Sequence, residues 1–231
     1  MLKQGHSLTL YCYDEVAGIP DGVRVEDAST ILPRSRIFRH ESGSIALFSD
    51  LFRYELQRQE KGVWVDSDVY FVRPLDTSPS YIFGRQCEHR LNSAVLKLPP
   101  CSALLEGLLR IFDEKEVPFW LRPEDFKAAS NRLEANGRTN VSMMPWGSAG
   151  PNALTALADH YGVAGNAAPS SVFYPRHYKQ AAWICDPSCA LEDFSTEFTV
   201  AIHLWNEIIK RYKGGPIIHG SFLSRLHDEG A

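Results

Sequence analysis

Between residues 44 and 72 the chain changes its hydrophobic period within a few residues, and that change limits what it can fold into. In "SIALFSDLFRYELQRQ" the apolar positions 45, 48, 51, 52 and 56 recur at helical spacing. Ser44 offers an N-cap and Gly62 a stop. Residues 63–65 ("VWV") are then a short run of β-formers, and residues 69–72 continue extended until Pro74. The alternation repeats along the chain. Residues 7–13 ("SLTLYCY") read as a strand, and residues 23–25 as a short one after the turn "IPDG". Residues 81–83 and 93–98 read as two more strands, residues 102–112 as an amphipathic helix and 124–135 as a more polar one. A further helix is punctuated by Pro151 at its start and Gly162 at its end. Residues 198–204 ("FTVAIHL") form a last strand that runs into "WNEIIKRY", a helical turn or two. Strands alternating with helices predict an α/β fold. No repeat and no low-complexity linker interrupts residues 1–231, which predicts a single domain.

Composition narrows the function classes. The 24 basic and 28 acidic residues leave a formal charge of −4, which argues against a nucleic-acid partner. No apolar run reaches the roughly 18 residues a membrane span needs. The first residues, "MLKQGHSLTLYCYD", lack the apolar core and cleavage site of a signal peptide. The five scattered cysteines suit a reducing compartment, so a cytoplasmic location is expected. Cys185 and Cys189 have a spacing within the zinc-knuckle range, but no second pair follows.

The chemistry is concentrated in "GVWVDSDVY". In open α/β sheets ligands lie outside the carboxyl ends of strands, and Asp66 arrives where the strand of residues 63–65 ends. Extended geometry places Asp66 and Asp68 on one side, with Ser67 opposite. No Lys or Arg lies within four residues, so the pair is a poor ion pair but a good site for a hard cation such as Mg²⁺ or Mn²⁺. On the preceding helix Asp50 and Arg53 share one face, with Leu51 and Phe52 directed to the core. Trp64 reads as a core residue.

The stretch "ALFSDLFRYELQRQEKGVWVDSDVYFVRPLD" resembles the core motif of the DXD-containing sugar transferases of glycosyltransferase family 32. That motif runs Ser-Asp-x-x-Arg-Tyr, a helix, a Gly, a hydrophobic strand and Asp-x-Asp. "LNSAVLKLP", "PWGSAGPNALT" and "AIHLWNE" are similar to later segments of the same family and follow in the same order. The likeness is to bacterial members associated with capsular or other surface polysaccharide synthesis. It implies a GT-A-like α/β/α sandwich on a mixed sheet. By the family pattern residues 7–13 are the second strand, so the usual first strand is expected to be lacking.

The resemblance also implies roles. Asp68 would ligate Mn²⁺ or Mg²⁺ directly, and Asp66 would contact the metal or the ribose. His203 is the candidate third metal ligand, since imidazole suits Mn²⁺. Asp50, Arg53 and Tyr54 would face the donor sugar and its phosphates, a UDP-sugar being the implied donor. Asn92 would support the reacting centre, and Trp205 and Asn206 would close the site. Trp146-Gly147, Gly150-Pro151 and His177 are open to either a binding or a turn role. The implied reaction is transfer to a glycan or lipid-linked acceptor with retention of configuration, with possible peripheral contact at the inner face of the membrane. Two alternatives stand beside it. One is a non-catalytic sugar-nucleotide or glycan-binding relative. The other is a phosphohydrolase with the first Asp as nucleophile, although the usual order of its motifs is not seen.

Overall fold

A computed structural model describes residues 1–212 and 215–230. The fold is mixed α/β. In chain order the strands and α-helices are β1 (Leu8–Cys12), β2 (Val23–Asp27), α1 (Ala46–Arg58), β3 (Trp64–Val65), β4 (Val69–Phe71), β5 (Ile82–Cys87), β6 (Arg90–Lys97), α2 (Ala103–Arg110), α3 (Pro123–Asn136), α4 (Pro151–His160), α5 (Ser170–Phe173), β7 (Ala201–His203), α6 (Asn206–Ile209) and α7 (Phe222–Asp228). Among the described residues no helix is long and apolar enough to cross a membrane.

The expected continuous mixed sheet is divided into three ladders. β1 and β2 pair in parallel, β3–β6–β5 is antiparallel, and β4 pairs antiparallel with β7. β6 lies at the middle of the molecule. Two apolar clusters meet there, one built from α1, α2 and α4, the other from β4, β7, α5 and residues 178–185. Burial on both sides shows in its six central residues, Leu91 to Leu96, which are all buried, the polar Asn92 and Ser93 included. A third cluster joins Ile31 and Leu32 to Phe48, Leu51, Phe52 and Leu56 of α1.

Local chemistry moves several expected boundaries. α1 starts at Ala46 rather than beside Ser44, whose Oγ accepts only the Ala46 N–H at 3.2 Å. It stops before Gly62. Lys61 N–H bonds to Leu56 O and Glu60 N–H to Gln57 O, the paired bonds of a Schellman motif. Glu60 takes the left-handed position there, with φ 54°. Ser102 does cap α2, accepting from Leu105 N–H at 3.2 Å, and Pro151 does open α4. The strand expected over 198–204 forms only at Ala201–His203. Thr196 and Thr199 turn the preceding chain on itself: Thr199 N–H bonds to Thr196 O, and Thr199 Oγ1 accepts from Thr196 N–H.

Candidate metal centre

The register of one short ladder creates the centre. β4 and β7 pair so that Val69 lies opposite His203, and Leu204 N–H donates to Asp68 O at 2.8 Å. Residues far apart in the chain are thereby held side by side. His203 Nε2 lies 3.2 Å from Asp68 Oδ1. The neighbouring strand supplies the other carboxylate: β3 pairs with β6, and Asp66 N–H continues that pairing by donating to Ala94 O at 2.7 Å. Asp66 and Asp68 do not form the extended unit that alternation predicted. Residues 67–68 are a turn, closed by Val69 N–H on Asp66 O at 3.2 Å. The turn still brings one ligand atom each from Asp66, Asp68 and His203 to within 4.8 Å of one another.

Those side chains are held before any ligand arrives. Asp68 Oδ2 accepts the backbone N–H of Asn206 at 2.8 Å. That N–H is aimed by Trp205, a non-glycine residue at φ 56°, a conformation sparsely populated by such residues. Burial alone would raise the Asp68 carboxyl. The hydrogen bond and charge of His203, with the Asn206 N–H, outweigh it and hold Asp68 below the ordinary aspartate value. His203 is clasped between rings, with Trp205 at 4.1 Å and Tyr174 at 5.9 Å between centroids. Its Nδ1 is buried without a hydrogen-bond partner among the described residues. Two carboxylates and an imidazole make a donor set that could hold a metal ion.

Asp66 is fixed from the other side. Its Oδ1 accepts the Trp64 indole N–H at 2.6 Å and is 3.1 Å from Arg53 Nη1. The Arg53 guanidinium stacks over the Trp64 ring at 4.9 Å and also donates to Ser93 O at 2.9 Å. Its Nε is 3.4 Å from Asp50 Oδ1. This ion pair is buried. Burial lowers the Arg53 pKa, but Asp66 and then Asp50 more than offset it, so Arg53 stays above its ordinary value. Asp50 behaves differently. Burial outweighs the pull of Arg53, Asp66 adds repulsion, and its carboxyl rises to about 6.

A carboxyl with a raised folded pKa binds its proton more tightly when folded, so Asp50 makes the fold less stable as pH climbs from 3.8 towards about 6. Asp50→Asn is expected to remove that slope. Urea midpoints of wild type and variant across this range should converge at the acid end and diverge in favour of the variant at neutral pH. Parallel profiles would contradict the assignment.

The structure distributes the expected site residues unequally. Asp66, Asp68, Arg53 and Asn206 line a cleft of about 990 Å³. Asp50 does not line it. Its carboxylate faces Gly150, where an added Cβ would lie 2.8 Å from Oδ2, so Gly150 serves as the wall behind Asp50. Tyr54 is fully enclosed and spends its hydroxyl on Ala149 O at 2.8 Å, which leaves it no face for a ligand. Asn92 is likewise committed inside: it donates to Gln86 Oε1 at 2.9 Å and accepts from Ala94 N–H at 2.8 Å. The Tyr174 hydroxyl also reaches Asn92 Oδ1, at 3.2 Å. Trp205 is buried against His203 and donates to Arg176 O at 3.0 Å. Trp146 is exposed on the rim of the cleft. His177 caps the helical turn that follows it, accepting from Lys179 N–H. The five cysteines form no disulfide, and Cys189 Sγ accepts from Arg176 at 3.4 Å.

Sequence reasoning placed Trp64 in the core and missed its role at the centre, along with Ser93 and Tyr174. A signal for Trp64 was present, because residues i and i+2 on a strand share a face and a half-buried indole N–H needs an acceptor. Comparison of the chain with known protein families, with curated proteins and with solved structures finds no match.

Proposed function

We propose that the chain is a metal-dependent glycosyltransferase of the family 32 type, with a GT-A-like fold, acting on a UDP-linked sugar. The observation that carries the reading is the convergence of Asp66 and Asp68, which line the large cleft, with the buried His203, which does not, and with Arg53 bonded to Asp66. These three side chains would hold Mn²⁺ or Mg²⁺. Such an ion, when bound, offsets the charge that grows on a diphosphate leaving group.

The remaining work falls to residues of the chain. Arg53 and Trp64 orient Asp66, while His203 and the Asn206 N–H orient Asp68. Arg53 is also a cation on the cleft wall, placed to attract phosphate oxygens. Asp50 keeps Arg53 in position from behind. The exposed Trp146 gives the rim an aromatic face on which a pyranose can stack. A retaining outcome fits front-face displacement: the acceptor hydroxyl enters on the side the diphosphate leaves, its oxygen forms the new bond to the anomeric carbon, and its proton passes to the departing phosphate. The phosphohydrolase alternative would use Asp66 as the nucleophile, and the usual order of that class's motifs is not seen in the sequence.

The acceptor reads as a glycan or lipid-linked glycan, and the bacterial polysaccharide setting and cytoplasmic location remain part of the same proposal. Thermal unfolding with Mn²⁺, UDP or both is the direct test. Mn²⁺ with UDP together should raise Tm beyond the sum of the two alone, and at a hundredfold excess over Kd a ligand stabilises by about 2.7 kcal/mol. Unchanged Tm in all three conditions would contradict the reading.

A further inference from the structure

A second cavity, of about 190 Å³, shares no lining residue with the large cleft. Its walls come from α2, from residues 116–120 and from the end of α4. Four rings stand in a row around it. Phe119 and Trp120 meet edge to face at 5.0 Å between centroids, Phe119 lies 5.5 Å from His160, and His160 lies 4.8 Å from Tyr161. Local bonding maintains the row. Leu121 N–H donates to Pro118 O at 3.2 Å and closes the turn that carries Phe119. The Trp120 indole N–H is committed to Ser148 O at 2.9 Å, so only its ring is offered to the cavity. On α2, a Cβ added at Gly107 would lie 3.1 Å from Tyr161 Cε2 and 3.2 Å from its hydroxyl. Glycine is a poor helix former, and here it gives the Tyr161 ring its seat. Phe119 is 57% exposed, so its ring is open to a ligand. Arg110 and Glu116 line the same cavity and are both exposed. Among the described residues neither side chain has a hydrogen bond or ion pair, and the Tyr161 hydroxyl has none either.

We propose that this cavity binds a neutral pyranose ring, as a sugar-holding site separate from the metal centre. The row of rings calls for a ligand with an apolar face, which the C–H face of a pyranose supplies. The Arg110 guanidinium only donates hydrogen bonds and an ionised Glu116 only accepts them. Adjacent hydroxyls do both, so one edge of a sugar satisfies the two side chains at once. The two charges are opposite, so the site favours neither a simple cation nor a simple anion. The size agrees. About 190 Å³ is below the roughly 300 Å³ at which pockets for drug-sized ligands begin, which suits one ring and not a nucleotide sugar. The site needs neither Mn²⁺ nor UDP, so it stands or falls apart from the transferase reading.

Titration of the nitrogen-15-labelled full chain, without metal or nucleotide, tests this through the NMR signal of the Trp120 indole N–H, assigned with Trp120→Phe. The probes are methyl β-D-glucopyranoside and methyl β-D-galactopyranoside, with choline chloride and phosphocholine as charged comparisons. At least one glycoside should shift the signal with a Kd on the order of 1 mM, the level that ordinary ligand efficiency allows a ligand of about a dozen heavy atoms. Phe119→Ala, a change at an exposed ring, should weaken that binding about tenfold. Glu116→Gln should weaken it several-fold. Trp146→Ala, on the rim of the large cleft, should leave it unchanged. No shift with either glycoside would overturn the proposal, and so would a titration lost in Trp146→Ala and kept in Phe119→Ala. A shift at lower concentration with choline or phosphocholine than with both glycosides would also overturn it, since a charged group would then be the ligand.

Discussion

Asp68→Asn is expected to abolish Mn²⁺-dependent release of UDP from a sugar nucleotide while leaving the fold in place. Asparagine keeps the size of the side chain and an oxygen for the Asn206 N–H, now 2.8 Å from Asp68 Oδ2. What it loses is the charge. A neutral amide ligates a hard cation poorly, and the turnover attributable to the metal should fall by at least about a hundredfold. Stability should change modestly and in a defined direction. The folded pKa of Asp68 is lowered, so its charge contributes stability above the ordinary value of 3.8 that disappears as pH falls through the folded pKa. The variant should therefore be somewhat less stable than wild type at neutral pH and match it in acid. Chromatographic assay of UDP across a Mn²⁺ titration measures the first effect, and thermal melts at several pH values the second. Turnover equal to wild type would remove Asp68 from the metal centre.

Arg53→Met should unfold the protein more readily than a surface charge deletion would. The guanidinium is buried between Asp50 and Asp66, donates to Ser93 and covers the Trp64 ring. Methionine fills much of the volume but leaves the carboxylates unneutralised. Removing one partner of a buried ion pair costs about 3–5 kcal/mol. Asp50→Asn in the same chain should recover part of that loss, because one of the two stranded charges is gone, so the pair should be strongly non-additive. Urea denaturation of the two single variants and the double variant measures the coupling. A loss below about 1 kcal/mol, the range of an exposed pair, would show that Arg53 is not the electrostatic centre of this network.

The parts of the fold that were legible in the sequence are those encoded over one or two turns. Helical spacing in residues 45–56 located α1, and the Pro151 start located α4. The short β-forming run before Asp66 did become β3, and the acid pair does lie at its end. Termini were less legible because they depend on single hydrogen bonds. Glu60, a residue with no special claim to the left-handed region, takes the position that ends α1. Gly62, the glycine expected to stop the helix, instead lies in the following loop at φ 106°.

The site was legible in its residue types and not in its contacts. No Lys or Arg lies within four positions of the acid pair, yet Arg53 reaches Asp66 from the adjacent helix at 3.1 Å. Pairing of His203 with Asp68 depends on the β4–β7 register, a long-range choice that neither strand encodes alone. The inward commitment of Tyr54, Asn92 and Trp205 was invisible for a related reason. A polar or aromatic residue beside a motif has the same letter whether it faces the cleft or fills the wall behind it, and only the packing of α4, α5 and β6 decides between the two.

Asp66, Asp68 and His203 are proposed to clasp one divalent cation together. Crystals grown with Mn²⁺ and UDP, measured at the manganese absorption edge, test it most directly. A single strong anomalous peak bounded by the three side chains, with the diphosphate on its open side, is expected. A well-ordered map with no peak there, or with manganese held elsewhere and these side chains turned to solvent, would contradict it.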